Sequence, residues 1–152
     1  MFDKVIDIGN TPDREEVQEI ENSYSPADNL ILLVEDNEIH CQLISAALEA
    51  ICHVDIASNG EEALDMAARS TYPAILMDIN LGSGISGVET TQQIRRIPRY
   101  RITPIIAITG FLVNGDPDKL LTSGFSFYIE KPFPINHLRT VVSDILGLRG
   151  QC

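Results

Sequence analysis

Basic side chains are scarce in this chain of 152 residues: eleven Lys and Arg stand against 22 Asp and Glu, a formal net charge of −11. Gripping a phosphate backbone takes clustered Lys and Arg that release counterions, so direct nucleic-acid binding is excluded. Long apolar runs are missing as well. The longest, Leu30 to Val34, falls far short of the ~20 residues a membrane helix needs, so no membrane insertion is expected. The opening MFDKVIDIGN has neither the basic end nor the apolar centre of a signal peptide. Cys41, Cys52 and Cys152 are odd in number and never spaced as CxxC, which leaves no disulfide framework and no zinc site. His40, His53 and His137 share no i, i+4 spacing, and His40-Cys41 reads as an ordinary helix pair. There is no internal repeat or low-complexity tract. What remains is one soluble, cytoplasmic domain with reduced thiols, long enough to bury a single core without cross-links.

The charge is unevenly placed. Residues 1–29 hold eight acids and two bases, net −6, whereas 30–152 hold fourteen and nine, net −5. The expected division is an acidic extension or linker over 1–28, a globular domain over 29–147 and a short tail over 148–152. Asp13 followed by Glu16 has capping-box spacing, but Val17 and Ile20 offer so thin an apolar stripe that a solvated linker is the simpler reading.

From Leu30 onward, short apolar runs alternate with helical patterns. The runs are Leu30–Val34, His53–Ala57, Ala74–Met77, Ile105–Ile108 and Phe125–Ile129; apart from His53, Asp55 and Ser126 they are continuously apolar, as suits parallel strands covered on both faces. Between them Ile39, Leu43, Ile44, Ala47, Leu48 and Ile51 mark one helical stripe, and Ala63, Leu64 and Ala67 a second. Ser86 is placed to cap a third helix through Val88 and Ile94, Asp116-Pro117 opens a fourth, and Ile135, Leu138, Val142 and Ile145 mark the last. Five βα units in about 118 residues predict an α/β fold: a doubly wound, five-stranded parallel sheet with helices on both faces.

In such a sheet the chemistry gathers at the carboxyl ends of the strands. The first strand ends in Glu35-Asp36-Asn37, the third in Asp78-Ile79-Asn80, the fourth in Thr109-Gly110 and the fifth in Glu130-Lys131-Pro132. Taken singly, Glu35 and Asp36 could cap a helix, Lys131 could be a surface lysine and Thr109 a strand-end hydroxyl. Together they put several carboxylates, a hydroxyl and an ammonium on one edge. Clustered carboxylates need a cation, and hard oxygen ligands suit Mg²⁺, or Mn²⁺ in its place. Glu35, Asp36 and Asp78 are the candidate ligands, and a carboxylate beside the ion can act as a nucleophile toward phosphorus.

The segments ILLVEDN, ILMDINL, PIIAITG and FYIEKPF, in this order and near these spacings, resemble the receiver domain of two-component response regulators over about residues 29–147. The resemblance implies the flavodoxin-like strand order 2-1-3-4-5. It makes Asp78 the phosphoacceptor, charged by phosphohistidine on a sensor histidine kinase or a histidine phosphotransfer protein. Glu35 and Asp36 match the acidic Mg²⁺ pair, and the backbone carbonyl of Asn80 a further ligand. Thr109 matches the switch hydroxyl, Lys131 the phosphoryl-binding lysine, usually followed by a cis proline, and Tyr128 the aromatic that turns inward on phosphorylation. The output is then an altered surface for a downstream protein partner, with no turnover on an outside substrate. A homodimer through the fourth-helix to fifth-helix face is compatible with the family.

Departures are visible. Gly82 replaces the usual proline and Ser86 the usual aspartate in a loop after Asp78 that is one residue longer than is common, and the extra glycine raises the entropy lost on ordering it. Gly110 stands where alanine is commoner, and Phe111 sits where relatives govern access of water to the phosphoryl group; its bulk is expected to slow hydrolysis. Gly82 to Gly87 spells GxGxxG, but after the wrong strand for a dinucleotide site. Arg95, Arg96, Arg99 and Arg101 read as a solvated loop or a contact for an acidic partner. The rival readings are a phosphate-independent interaction module of the same fold, which would not require Asp78 and Lys131, and an aspartate-based phosphatase or flavin binder. The phosphatase requires an acid where Asn80 stands. No output domain is expected in the few residues after Gly147.

Overall fold

A computed structural model of the chain describes residues 29–110 and 117–148. The capping pattern at Asp13 and Glu16, and Phe111, lie outside the described residues. Five strands and five helices alternate: β1 (Leu30–Val34), α1 (Glu38–Leu48), β2 (His53–Ala57), α2 (Gly60–Arg69), β3 (Ile75–Asp78), α3 (Gly87–Arg95), β4 (Ile105–Thr109), α4 (Pro117–Thr122), β5 (Phe127–Glu130) and α5 (Ile135–Ile145), with a 3-10 turn at Pro98–Tyr100. All strand pairs are parallel, and the order across the sheet is β2-β1-β3-β4-β5, as expected.

Burial follows this order. The central strands β3 and β4 are buried at every position and β1 at all but Leu30, because helices cover both faces. The edge strands β2 and β5 bury only Ala57 and Ile129 respectively. One core forms where Ile31, Leu33, Leu76, Ile106 and Ile108 meet α1 and α5. The opposite core sets Leu32, Val34, Ile75, Met77, Ile105 and Ala107 against α2, α3 and α4.

Helix starts follow local chemistry. The side chains of Asn37, Asn59 and Ser86 accept the backbone N–H groups of His40, Glu62 and Glu89 at 3.0, 2.8 and 3.0 Å. Ser86 and Glu89 complete a capping box, since Ser86 N–H donates back to Glu89 Oε1.

Two expectations are corrected. Ile39 and Leu43 are 66% and 56% exposed, whereas Cys41, Ile44, Ala47 and Leu48 are buried. At 3.6 residues per turn, Leu43 and Ile39 stand about 100° and 140° around the helix from Ile44, so the expected stripe was too broad. The arginine segment is also not simply solvated. Arg95 Nε donates to Gly124 O at 2.9 Å, and its Nη1 to Thr103 O at 2.7 Å and Tyr100 O at 2.5 Å, which ties the loops before β4 and β5 together. Arg99 caps the end of α2 through the carbonyls of Ala67 and Ala68.

Candidate functional site

Glu35 extends the ladder of β1, its N–H donating to Ala57 O at 3.0 Å, and is only 1% exposed. Asn37 does the capping of α1, which leaves the carboxylates of Glu35 and Asp36 to other tasks. Glu35 Oε2 accepts Asn37 N–H at 3.1 Å. The exposed Asp36 accepts Gly82 N–H at 2.8 Å through Oδ2. Gly82, where a proline was the expected residue, therefore supplies a donor that proline lacks. Asp78 ends β3, is 4% exposed, and accepts the N–H of the exposed Asn80 at 3.0 Å. One oxygen from each of Glu35, Asp36 and Asp78 lies within 4.8 Å of the others.

The cationic member arrives from β5. Lys131 N–H donates to Thr109 O at 2.7 Å, so the end of β4 fixes where the lysine leaves the sheet. Its Nζ lies 3.0 Å from Glu35 Oε1 and 3.8 Å from Asp78 Oδ2. The Lys131-Pro132 bond is cis, as the resemblance implies. Burial pushes the Asp78 carboxyl up to about 7; the hydrogen bond and charge of Glu35 add to the rise, while Asn80 N–H and the Lys131 charge oppose it.

Thr109 closes β4 and is 1% exposed. Asp78 pairs with Ile108, one residue earlier. Tyr128 pairs with Ala107 and Glu130 with Thr109, so Thr109 and Tyr128 are diagonal neighbours on one sheet face. Tyr128 is 38% exposed. Among the described residues, an added methyl group at Gly110 would meet nothing within 4 Å.

Two contributors escaped the sequence reading. His40 is not an idle helix residue: its Nδ1 lies 3.0 Å from Lys131 Nζ. Its position three residues after the Asn37 cap, in the turn facing the site, was the available signal. Gly87, the first residue of α3, packs on the backbone of Asp78, and its signal was buried in the misleading GxGxxG pattern.

The response regulator receiver domain model matches residues 31–143. The chain belongs to the response regulator receiver family. Receivers are phosphoryl-accepting signalling modules of two-component systems that bind Mg²⁺ at an acidic pocket. This receiver is 35% identical over 118 residues to the polar-differentiation response regulator DivK of Brucella anthropi, covering 77% of the chain and 95% of DivK. It is 32% identical over 113 residues to the signal transduction histidine-protein kinase BarA of Escherichia coli K12, spanning 74% of the chain but only 12% of that kinase. Among solved structures, the receiver domain of sensor histidine kinase PA1611 from Pseudomonas aeruginosa PAO1, with magnesium coordinated in its active-site cleft, superposes with a TM-score of 0.71 at 35% identity, covering 78% of this chain and 98% of that one. The chemotaxis protein CheY4 of Vibrio cholerae gives a TM-score of 0.70 at 26% identity, with coverages of 77% and 98%. Among the described residues no helix is long and apolar enough to cross a membrane.

Proposed function

We propose that this receiver takes a phosphoryl group onto Asp78 from phosphohistidine on a sensor histidine kinase or phosphotransfer protein, and signals through a changed surface. The observation that carries this reading is that the buried Asp78 carboxylate lies beside two further carboxylates and one ammonium. An Asp78 oxygen attacks phosphorus, the P–N bond breaks, and its electron pair returns to the partner's imidazole. Lys131 then bonds the added phosphoryl oxygens.

The donor set fits Mg²⁺. One hard carboxylate oxygen from each of three residues, all within 4.8 Å of one another, is a set that an oxygen-ligated divalent cation would draw inward. Glu35, Asp36 and Asp78, with the Asn80 carbonyl, are the residues to hold Mg²⁺ or Mn²⁺, which when bound would neutralise phosphoryl oxygen charge and lower the barrier to attack.

The phosphoryl group adds a charge of about −1.5 to −2 and strong acceptors at the end of β3. Thr109 donates its hydroxyl to one of these oxygens, and the space it leaves admits the Tyr128 ring from its half-exposed position. That repacks the surface of α4, β5 and α5. The site performs its own phosphorylation and dephosphorylation and turns over no external substrate. Beside it lies an apolar groove of about 510 Å³, floored by Ile44, Ala47 and Phe133 and open at Leu43 and Ile135, with His40 and Lys131 at its rim. Continuity with Lys131 favours this groove as the seat of the phosphohistidine partner.

The reading is tested by mixing the chain with a phosphorylated histidine phosphotransfer protein and Mg²⁺. Label should pass to the chain, be released by hydroxylamine as an acyl phosphate is, and fail to pass to Asp78→Asn. Hydroxylamine-stable label, or label on Asp78→Asn, contradicts it.

A further inference from the structure

The Lys131 ammonium has three protons to donate and no acceptor of its own. Glu35 Oε1 and His40 Nδ1 each lie 3.0 Å from Nζ, whereas Asp78 Oδ2 at 3.8 Å is beyond hydrogen-bond distance. Because an ammonium only donates, His40 Nδ1 accepts and the ring's own N–H sits on Nε2. Asn37 Oδ1 accepts the His40 backbone N–H and fixes the start of the helix, and Nδ1 stands 3.6 Å from Glu35 Oε1, so both acceptors flank the same ammonium.

We propose that His40 is a positioning residue that holds the Lys131 ammonium off Asp78 until the phosphoryl group arrives. The inference rests on the reading of Asp78 as phosphoacceptor. To bond a phosphoryl oxygen there, Nζ has to move toward Asp78 and give up an acceptor. Glu35 is buried, so water cannot replace the bond it would lose. The His40 side chain is 41% exposed, and water can replace its bond. His40 is thus the acceptor released, and its bond weighs against the phosphorylated state.

The test is affinity for beryllofluoride, a phosphoryl mimic, in the presence of saturating Mg²⁺, measured by ¹⁹F NMR on the full chain. His40→Ala removes the acceptor and should bind the mimic about fivefold more tightly, the scale of one hydrogen bond. In His40→Asn the side-chain oxygen occupies the place of Nδ1, and affinity should stay within about twofold of the parent. Mg²⁺ affinity without beryllofluoride should be unchanged in both, since His40 is not a metal ligand. A merely structural role predicts no rescue by Asn. Equal or weaker binding in His40→Ala, or a failure of Asn to restore the parent value, overturns the inference and leaves the phosphoacceptor reading standing. A parent chain that takes no beryllofluoride removes both.

Discussion

Gly87 opens α3 directly against the peptide of Asp78: a methyl group on its α-carbon would lie 2.2 Å from the Asp78 carbonyl oxygen and 2.8 Å from the Ile79 α-carbon. Its own N–H donates to Ile79 O at 3.2 Å. What the methyl meets is backbone, so helix or strand end has to shift. Gly87→Ala should cost about 2–3 kcal/mol in urea unfolding and slow phosphorylation of Asp78. Gly110→Ala, whose added methyl meets none of the described residues, should stay within about 0.5 kcal/mol of the parent. Equal stability of the two variants would show that the contact is not restrictive.

The raised Asp78 carboxyl makes metal-free stability depend on pH. Its folded value of about 7 lies above the ordinary 3.8, so the folded state holds this proton more tightly than the unfolded chain. The stabilisation is complete below the unfolded value and is lost as pH rises through about 7. Asp78→Asn should therefore melt higher than the parent at pH 8 in a chelator, and the gap should narrow by pH 5.5. Added Mg²⁺ should raise the parent's melting temperature at pH 8 more than that of Asp78→Asn. A gap that widens on acidification contradicts this.

The bond from Gly82 N–H to Asp36 Oδ2 orients an otherwise exposed metal-ligand candidate. Gly82→Pro deletes the donor. By the usual weight of a partner that orients a ligand, Mg²⁺ affinity should fall about tenfold, as read by calorimetric titration. Unchanged affinity would mean that Asp36 needs no such support.

Arg95 holds three backbone carbonyls from two loops. Arg95→Ala leaves these acceptors without their donor and should destabilise the fold by about 2–3 kcal/mol. Arg95→Lys should recover little, because an ammonium cannot reproduce the guanidinium fork. The neighbouring Arg96 is exposed, and Arg96→Ala should lie within about 0.5 kcal/mol of the parent in the same unfolding series.

The ends of β1, β3 and β4 were legible because each of these apolar runs stops in a polar residue that covered parallel strands do not tolerate earlier; Leu30–Val34 and His53–Ala57 match the structure residue for residue. The fifth strand was placed two residues early because Phe125 is buried, at 4% exposure, in the loop before the ladder begins at Phe127. Hydrophobicity reports burial, not pairing. Ile39 and Leu43 misled in the opposite way: they are apolar yet lie on the open side of α1, where Leu43 lines the groove. The carboxylates, Thr109 and Lys131 could be read from strand-end positions alone. His40 and Gly87 carried only weak local signals, a position just after a helix cap and a glycine in a misleading motif, because their roles depend on an approach between α1 and the end of β5, and between α3 and the end of β3.

The most direct test of the central claim is intact-mass spectrometry after incubation with phosphoramidate and Mg²⁺, beside Asp78→Asn and a chelator control. A single phosphoryl adduct on the parent, absent from both controls, is the predicted result. An adduct that persists on Asp78→Asn, or a parent that takes none even from a phosphorylated histidine phosphotransfer protein, would contradict Asp78 as the phosphoacceptor.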